Sequence, residues 1–205
     1  MSAVLPPGMS EERFAKALRS LSAAIGANAV LQADADMVPY HDAYGFSVTT
    51  DHQPAAAVSP ENVEQLQAVL RLANEHRLPL WPVSRGKNFG YGSAAPRMSG
   101  TVVLDLGRMR RILDVDVARG VALLEPGVGF FDLYEHLEKE KIPLWASVPG
   151  NSLGSVIGNA LEYGLGYGPL GDRADSLVGM EVMLPNGELI RTGMGAMQGS
   201  KCWNL

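Results

Sequence analysis

Two stretches of the chain repeat apolar residues at helical spacing. Phe14, Leu18, Leu21 and Ile25 fall on one helical face. Ser10 stands ahead of them as an N-cap, and Glu11 and Glu12 follow in the first turn, where the helix dipole favours acid. Gly26 supplies a stop, so a helix is predicted over about residues 10–25. The second stretch places Val63, Leu66, Val69, Leu70 and Ala73 on one face, with Ser59 as the expected cap and Pro60 at the first helical position. Between them, residues 27–53 show no clear period and read as an arm, with a short strand near residues 47–50.

Beyond residue 77 the period shortens. Residues 78–83 predict a short buried strand broken by prolines, and a glycine-rich loop follows at residues 84–92. Residues 101–106 predict another strand, and residues 112–117 and 121–125 a hairpin around Ala118-Arg119-Gly120. Glu125-Pro126-Gly127 breaks the sheet. Phe131, Leu133, Tyr134 and Leu137 predict a helix to about residue 141, and a short helix is expected over residues 155–162. Val178, Met180, Val182 and Leu184 alternate as a strand, Pro185-Asn186-Gly187 turns, and residues 188–192 return. Helices and strands in this order predict an α+β fold, with residues 1–53 as helix and arm and residues 54–205 as the main domain.

Composition removes several classes of function. At 205 residues the chain fits one large domain, or a domain plus an arm. With 46% apolar and 19% charged residues it reads as an ordinary globular protein, and no apolar run approaches the roughly 20 residues of a membrane span. A net charge of -5 gives no reason to expect nucleic acid. The start is not a secretory signal, so a cytoplasmic location is expected, or the periplasm if the protein is exported with a partner. One cysteine, Cys202, makes no internal disulfide. No His/Asp/Glu cluster has metal spacing. The apolar last residues, 201–205, suggest a piece of something longer.

The 23 glycines cluster, and clustered glycine lets backbone amides close on a ligand. Rossmann and P-loop spacings are both absent. Instead there are two loops. Loop one spans residues 82–92 and offers Ser84, Arg85, Gly86, Lys87, Asn88 and Gly92. Loop two spans residues 149–159 and offers Pro149, Ser152, Gly154, Ser155, Gly158 and Asn159. Amides and cations in such turns suit an anionic diphosphate. Trp81 and Trp145, each near a proline, read as core packing. His76 and His136 read as solvated helix residues, and Asp172 as a turn cap.

At these loops the sequence resembles the p-cresol methylhydroxylase / vanillyl-alcohol oxidase family. The resemblance is carried by PVSRGKNFGYGSAAP at residues 82–96, by Val103-Leu104-Asp105-Leu106 and by Glu125-Pro126-Gly127-Val128. It continues through Gly158-Asn159-Ala160, Gly164-Leu165-Gly166-Tyr167-Gly168-Pro169-Leu170-Gly171-Asp172, Gly179-Met180-Glu181-Val182 and Pro185-Asn186-Gly187-Glu188. It implies a two-subdomain FAD-binding fold, with loop one on the pyrophosphate of FAD and loop two alongside. It implies an FAD-dependent oxidoreductase of 4-alkylphenols, transferring hydride from the benzylic carbon to flavin and leaving a quinone methide for water to attack. Tyr91 stands where the family places a tyrosine on the phenol oxygen, and His52 lies where some members use a histidine to assist flavin attachment. The implied partners are a small phenolic substrate, a c-type cytochrome subunit as electron acceptor and a second copy in a homodimer. Oxidase relatives carry aspartate after the Val-Pro of loop two. Gly150 stands there instead, which favours a dehydrogenase. A vanillyl-alcohol-type oxidase using oxygen and an FAD-binding piece without turnover stay open. A D-2-hydroxyacid dehydrogenase on the same fold would leave Tyr91 unexplained.

Overall fold

The computed structural model describes residues 4–45, 52–149, 152–166 and 171–193. The strand expected near residues 47–50, the Gly150 position, residues 167–170 and Cys202 lie outside them. The chain forms two compact units. One comprises Met1–Arg108 with Pro185–Gly187, and the other Met109–Leu184 with Glu188–Leu205.

In the first unit, helix α1 (Glu11–Ile25) begins where expected, with the Ser10 hydroxyl accepting the Arg13 N–H. A short strand β1 (Val30–Leu31) and a single helical turn α2 (Asp34–Met37) interrupt the arm. Strand β2 (Ala56–Val58) leads into helix α3 (Val63–His76), then strands β3 (Leu80–Val83) and β4 (Val102–Asp105). The sheet order is β1-β2-β4-β3, with β2, β4 and β3 parallel and β1 antiparallel at the edge. Alternation sorts the two faces. Ala56, Val58, Val102 and Leu104 pack under the apolar faces of α1 and α3, while Ala57 and Val103 pack with Met37, Tyr40 and Ala94.

Three expectations are corrected here. The cap of α3 is Asn62, whose side chain accepts the Gln65 N–H at 2.9 Å. Ser59 is buried instead, its hydroxyl donating to the Asp105 carbonyl. Strand β3 is half-buried at the sheet edge, not fully buried. The carbonyls of Pro79 and Val83 accept from β4, so alternate residues such as Pro82 turn their backbone to the open side, where a missing N–H costs nothing. His76 is not simply solvated, because its Nε2 meets the Ser20 hydroxyl at 3.2 Å and joins α3 to α1.

The second unit opens with the expected hairpin, β5 (Ile112–Asp116) and β6 (Val121–Leu124), bulged between Ile112 and Asp114. Glu125 is buried at its end and receives the backbone N–H and guanidinium of Arg111. Helix α4 (Phe130–Lys139) starts at Gly129, whose N–H donates to Asp132, and buries Leu133 and Leu137 on Val128. Helix α5 (Val156–Leu161) and the antiparallel pair β7 (Gly179–Met183) and β8 (Leu189–Gly193) complete it. Trp145 is 90% exposed, so the core-packing reading fails there. A proline neighbour fixes local backbone but does not decide burial.

Candidate functional site

Loop one leaves the carboxyl end of β3, the side on which parallel sheets gather ligands. Its root is tied by Asp105, the last residue of β4. The carboxylate accepts the Gly107 N–H at 2.7 Å and the Tyr40 hydroxyl at 2.7 Å. Burial, and then the Asp105 charge, push the Tyr40 hydroxyl well above its ordinary pKa, so it stays a donor. Gly107 in turn lies against the Ser84 carbonyl, where a Cβ would stand 3.2 Å away. Ser84 thus lies against a residue that the end of β4 holds in place.

Within the loop, Gly86 has φ +62°, and a Cβ there would sit 2.5 Å from that of Ala94, so only glycine lets the loop fold back. The Tyr91 and Ser93 N–H groups both donate to the Asn88 carbonyl at 3.1 Å. Among the described residues, the N–H groups of Gly86, Asn88, Phe89, Gly90 and Gly92 have no internal acceptor. A Cβ at Gly90 or Gly92 would meet nothing within 4 Å. The Lys87 ammonium lies 5.8 Å from the Phe89 ring centroid, and the Tyr44 ring packs against the Phe89 ring with centroids 5.7 Å apart. Tyr91 is 84% exposed. The turn therefore brings Ser84, Arg85, Gly86, Lys87, Asn88, Tyr91 and Gly92 into one short stretch with open amides and cationic side chains. That donor set fits a diphosphate.

Loop two is built differently. The Gly154 carbonyl accepts the Phe130 N–H, and Ser155 bridges to Gly129. The Ser155 hydroxyl is buried, donates to the Pro126 carbonyl at 2.6 Å and accepts the Gly158 N–H at 2.9 Å. Ser155 and Gly158 are therefore engaged with each other as the cap of α5. Among the described residues, the Ser152 hydroxyl and the Gly154 N–H have no internal partner. The Asn159 side-chain oxygen is buried without a hydrogen bond and pressed against Gly164, where a Cβ would stand 2.2 Å from it. Pro149 ends the described stretch that leads into the loop.

Two other sequence readings meet the structure here. His52, at φ +65°, turns its Nδ1 to the carbonyls of Pro96 and Arg97. Asp172 precedes a 3-10 turn (Arg173–Ser176), and its carbonyl, not its side chain, receives the Asp175 N–H. The residue that sequence reasoning missed is Arg173, 7% exposed, beside the Phe130 ring. Nothing in its sequence surroundings marks it, and only the three-dimensional packing shows its burial. Among the described residues, no cluster of His, Cys, Asp and Glu could hold a metal, and no helix is long and apolar enough to cross a membrane.

A family model described as the FAD binding domain matches residues 54–193. The whole chain is 40% identical over 205 residues to the 4-cresol dehydrogenase (hydroxylating) flavoprotein subunit of Pseudomonas putida, of which it covers 39%. Its structure is similar to that of p-cresol methylhydroxylase with substrate bound, at TM-score 0.92 and 40% identity, covering 97% of this chain and 39% of that one. It is also similar to 4-ethylphenol oxidase from Gulosibacter chungangensis in its isoeugenol complex, at TM-score 0.91 and 38% identity, covering 97% of this chain and 38% of the other. The chain spans about two fifths of the length of each of these proteins.

Proposed function

Because the chain belongs to the family of FAD binding domains, with FAD as its cofactor, we propose that it is the cofactor-holding part of an oxidoreductase of 4-alkylphenols. Its α+β fold is of the kind the sequence implied, that of p-cresol methylhydroxylase and its relatives. The observation that carries the substrate class is identity at 40% along the entire chain to a protein that acts on 4-cresol.

Bound FAD supplies the two-electron acceptor. In this reading the open amides of loop one, with Ser84, Arg85 and Lys87, grip the diphosphate. Loop two contributes Pro149, Ser152, Gly154 and Asn159, while Ser155 and Gly158 hold the start of α5 in shape. Tyr91 donates its hydroxyl to the phenol oxygen of the substrate and stabilises the phenolate. The exposure of Tyr91, at 84%, supports this, since its ring is left open among the described residues. Gly150, in the place of an oxidase aspartate, supports a dehydrogenase that passes electrons to a c-type cytochrome subunit. The likeness to 4-ethylphenol oxidase supports the second reading, in which oxygen is the acceptor.

The test adds FAD, 4-cresol and a dye acceptor to the chain without oxygen. Bleaching of the flavin band and dye reduction are expected, and bound flavin that stays yellow would mark a module without turnover. Tyr91→Phe should slow bleaching by about 10² while leaving FAD affinity unchanged. Faster reoxidation by air than by dye would favour the oxidase.

A further inference from the structure

Arg173 is a buried cation with no opposite charge to meet it among the described residues. Its side chain is enclosed, at 7% exposure for the residue, and among the described residues it forms no ion pair with a carboxylate. One guanidinium nitrogen donates to the Ser147 carbonyl, another to the Leu165 carbonyl at 3.2 Å, and its backbone N–H donates to the Gly164 carbonyl at 3.0 Å. The cation sits 5.7 Å from the centroid of the Phe130 ring. Its Nε–H is buried and unbonded.

Neutral carbonyls and an aromatic face offset only part of the cost of burying a charge. Burial depresses the Arg173 pKa. Such a group persists where it is needed for position or for field. Its position is specific. Ser147 is two residues before Pro149, at the entrance to loop two, and Gly164 and Leu165 lie just past α5, at its exit. Gly164 is also the residue on which Asn159 presses its orphaned oxygen. One guanidinium therefore ties the segment that leads into loop two to the segment that follows α5.

We infer that Arg173 is a positioning residue for cofactor binding: it ties the approach to loop two to the segment beyond α5, and its charge, unpaired among the described residues, favours the diphosphate of FAD beside that loop. This rests on the reading that loop two lies along the diphosphate. Riboflavin has the same ring but no phosphate, so comparing the two ligands separates charge from shape.

Flavin fluorescence quenching gives both dissociation constants. For Arg173→Gln, which keeps an amide donor and loses the charge, the preference for FAD over riboflavin should fall about tenfold. Arg173→Lys should restore most of that preference, although both ligands bind less tightly. Equal weakening of both ligands in Arg173→Gln would make Arg173 merely structural and overturn the inference. An unchanged preference would overturn it too. If Arg173→Gln does not fold by circular dichroism, Arg173→Lys decides alone: salt should weaken its FAD binding as steeply as in the unaltered chain, and a lost salt dependence would refute the role of charge. Unaltered chain that binds riboflavin as tightly as FAD would instead overturn the assignment of the loops to the diphosphate.

Discussion

Loop one and loop two are both glycine-rich and similar in length, yet they handle their polar groups in opposite ways. Loop one is anchored from outside, through Asp105, Gly107 and Ala94, and leaves its own amides open. Loop two is anchored by spending its own polar groups. Its serine hydroxyl, a glycine amide and a glycine carbonyl are consumed in holding α5 and α4 together. Glycine content alone therefore says little about ligand contact. What matters is where the structure places the partners of the loop's donors. A loop held by packing keeps donors free to bind, while one held through its own hydrogen bonds shapes the site around it.

The sharpest way to break this contrast is at the anchor of loop one. Gly86→Ala must place a Cβ 2.5 Å from Ala94 at φ +62°, and should cost about 3 kcal/mol in urea unfolding, with weakened FAD binding. Undiminished stability would mean that loop one is not folded onto Ala94. Next in size, Ser155→Ala removes both bonds of the buried hydroxyl and should cost about 1.5 kcal/mol. No loss in the same assay would show that the side chains of loop two are not committed to shape.

Tyr40→Phe tests the root of loop one and should cost about 1 kcal/mol near neutral pH. Here pH adds a signature. The Tyr40 pKa is raised in the folded state, so its contribution is full below about pH 10 and declines as the unfolded tyrosine ionises above that. The stability gap between the unaltered chain and Tyr40→Phe should therefore narrow above pH 10, and a gap that widens there would contradict the Tyr40–Asp105 pairing. The smallest effect is expected at Tyr91→Phe, which should change stability by less than about 0.5 kcal/mol because the ring is exposed. A larger loss would show that Tyr91 supports loop one structurally.

The main elements were legible because each rests on a local signal. Helical spacing marks α1 and α3, alternation marks β7 and β8, and the turn chemistry of Ala118-Arg119-Gly120 marks the hairpin. The misplaced cap of α3 shows the limit of such signals. Ser59 and Asn62 are both good capping types, and the choice between them was made by Asp105, 46 residues away from Ser59, which takes the serine hydroxyl. The reading of Trp145 fails for the same reason, and Arg173 went unread for it. An apolar ring is left in solvent and a cation is enclosed, because burial depends on what packs around a residue and not on its type.

By itself, then, the sequence determined the order of helices and strands, the glycine turns and the cofactor class they resemble. These depend on spacing and on which residues tolerate which backbone. Tertiary structure alone decided which donors stay open in loop one, which are spent in loop two, and that Arg173 is enclosed without a counter-charge among the described residues. Each of those outcomes depends on groups far apart in the chain competing for the same few hydrogen bonds, and no local pattern records who wins.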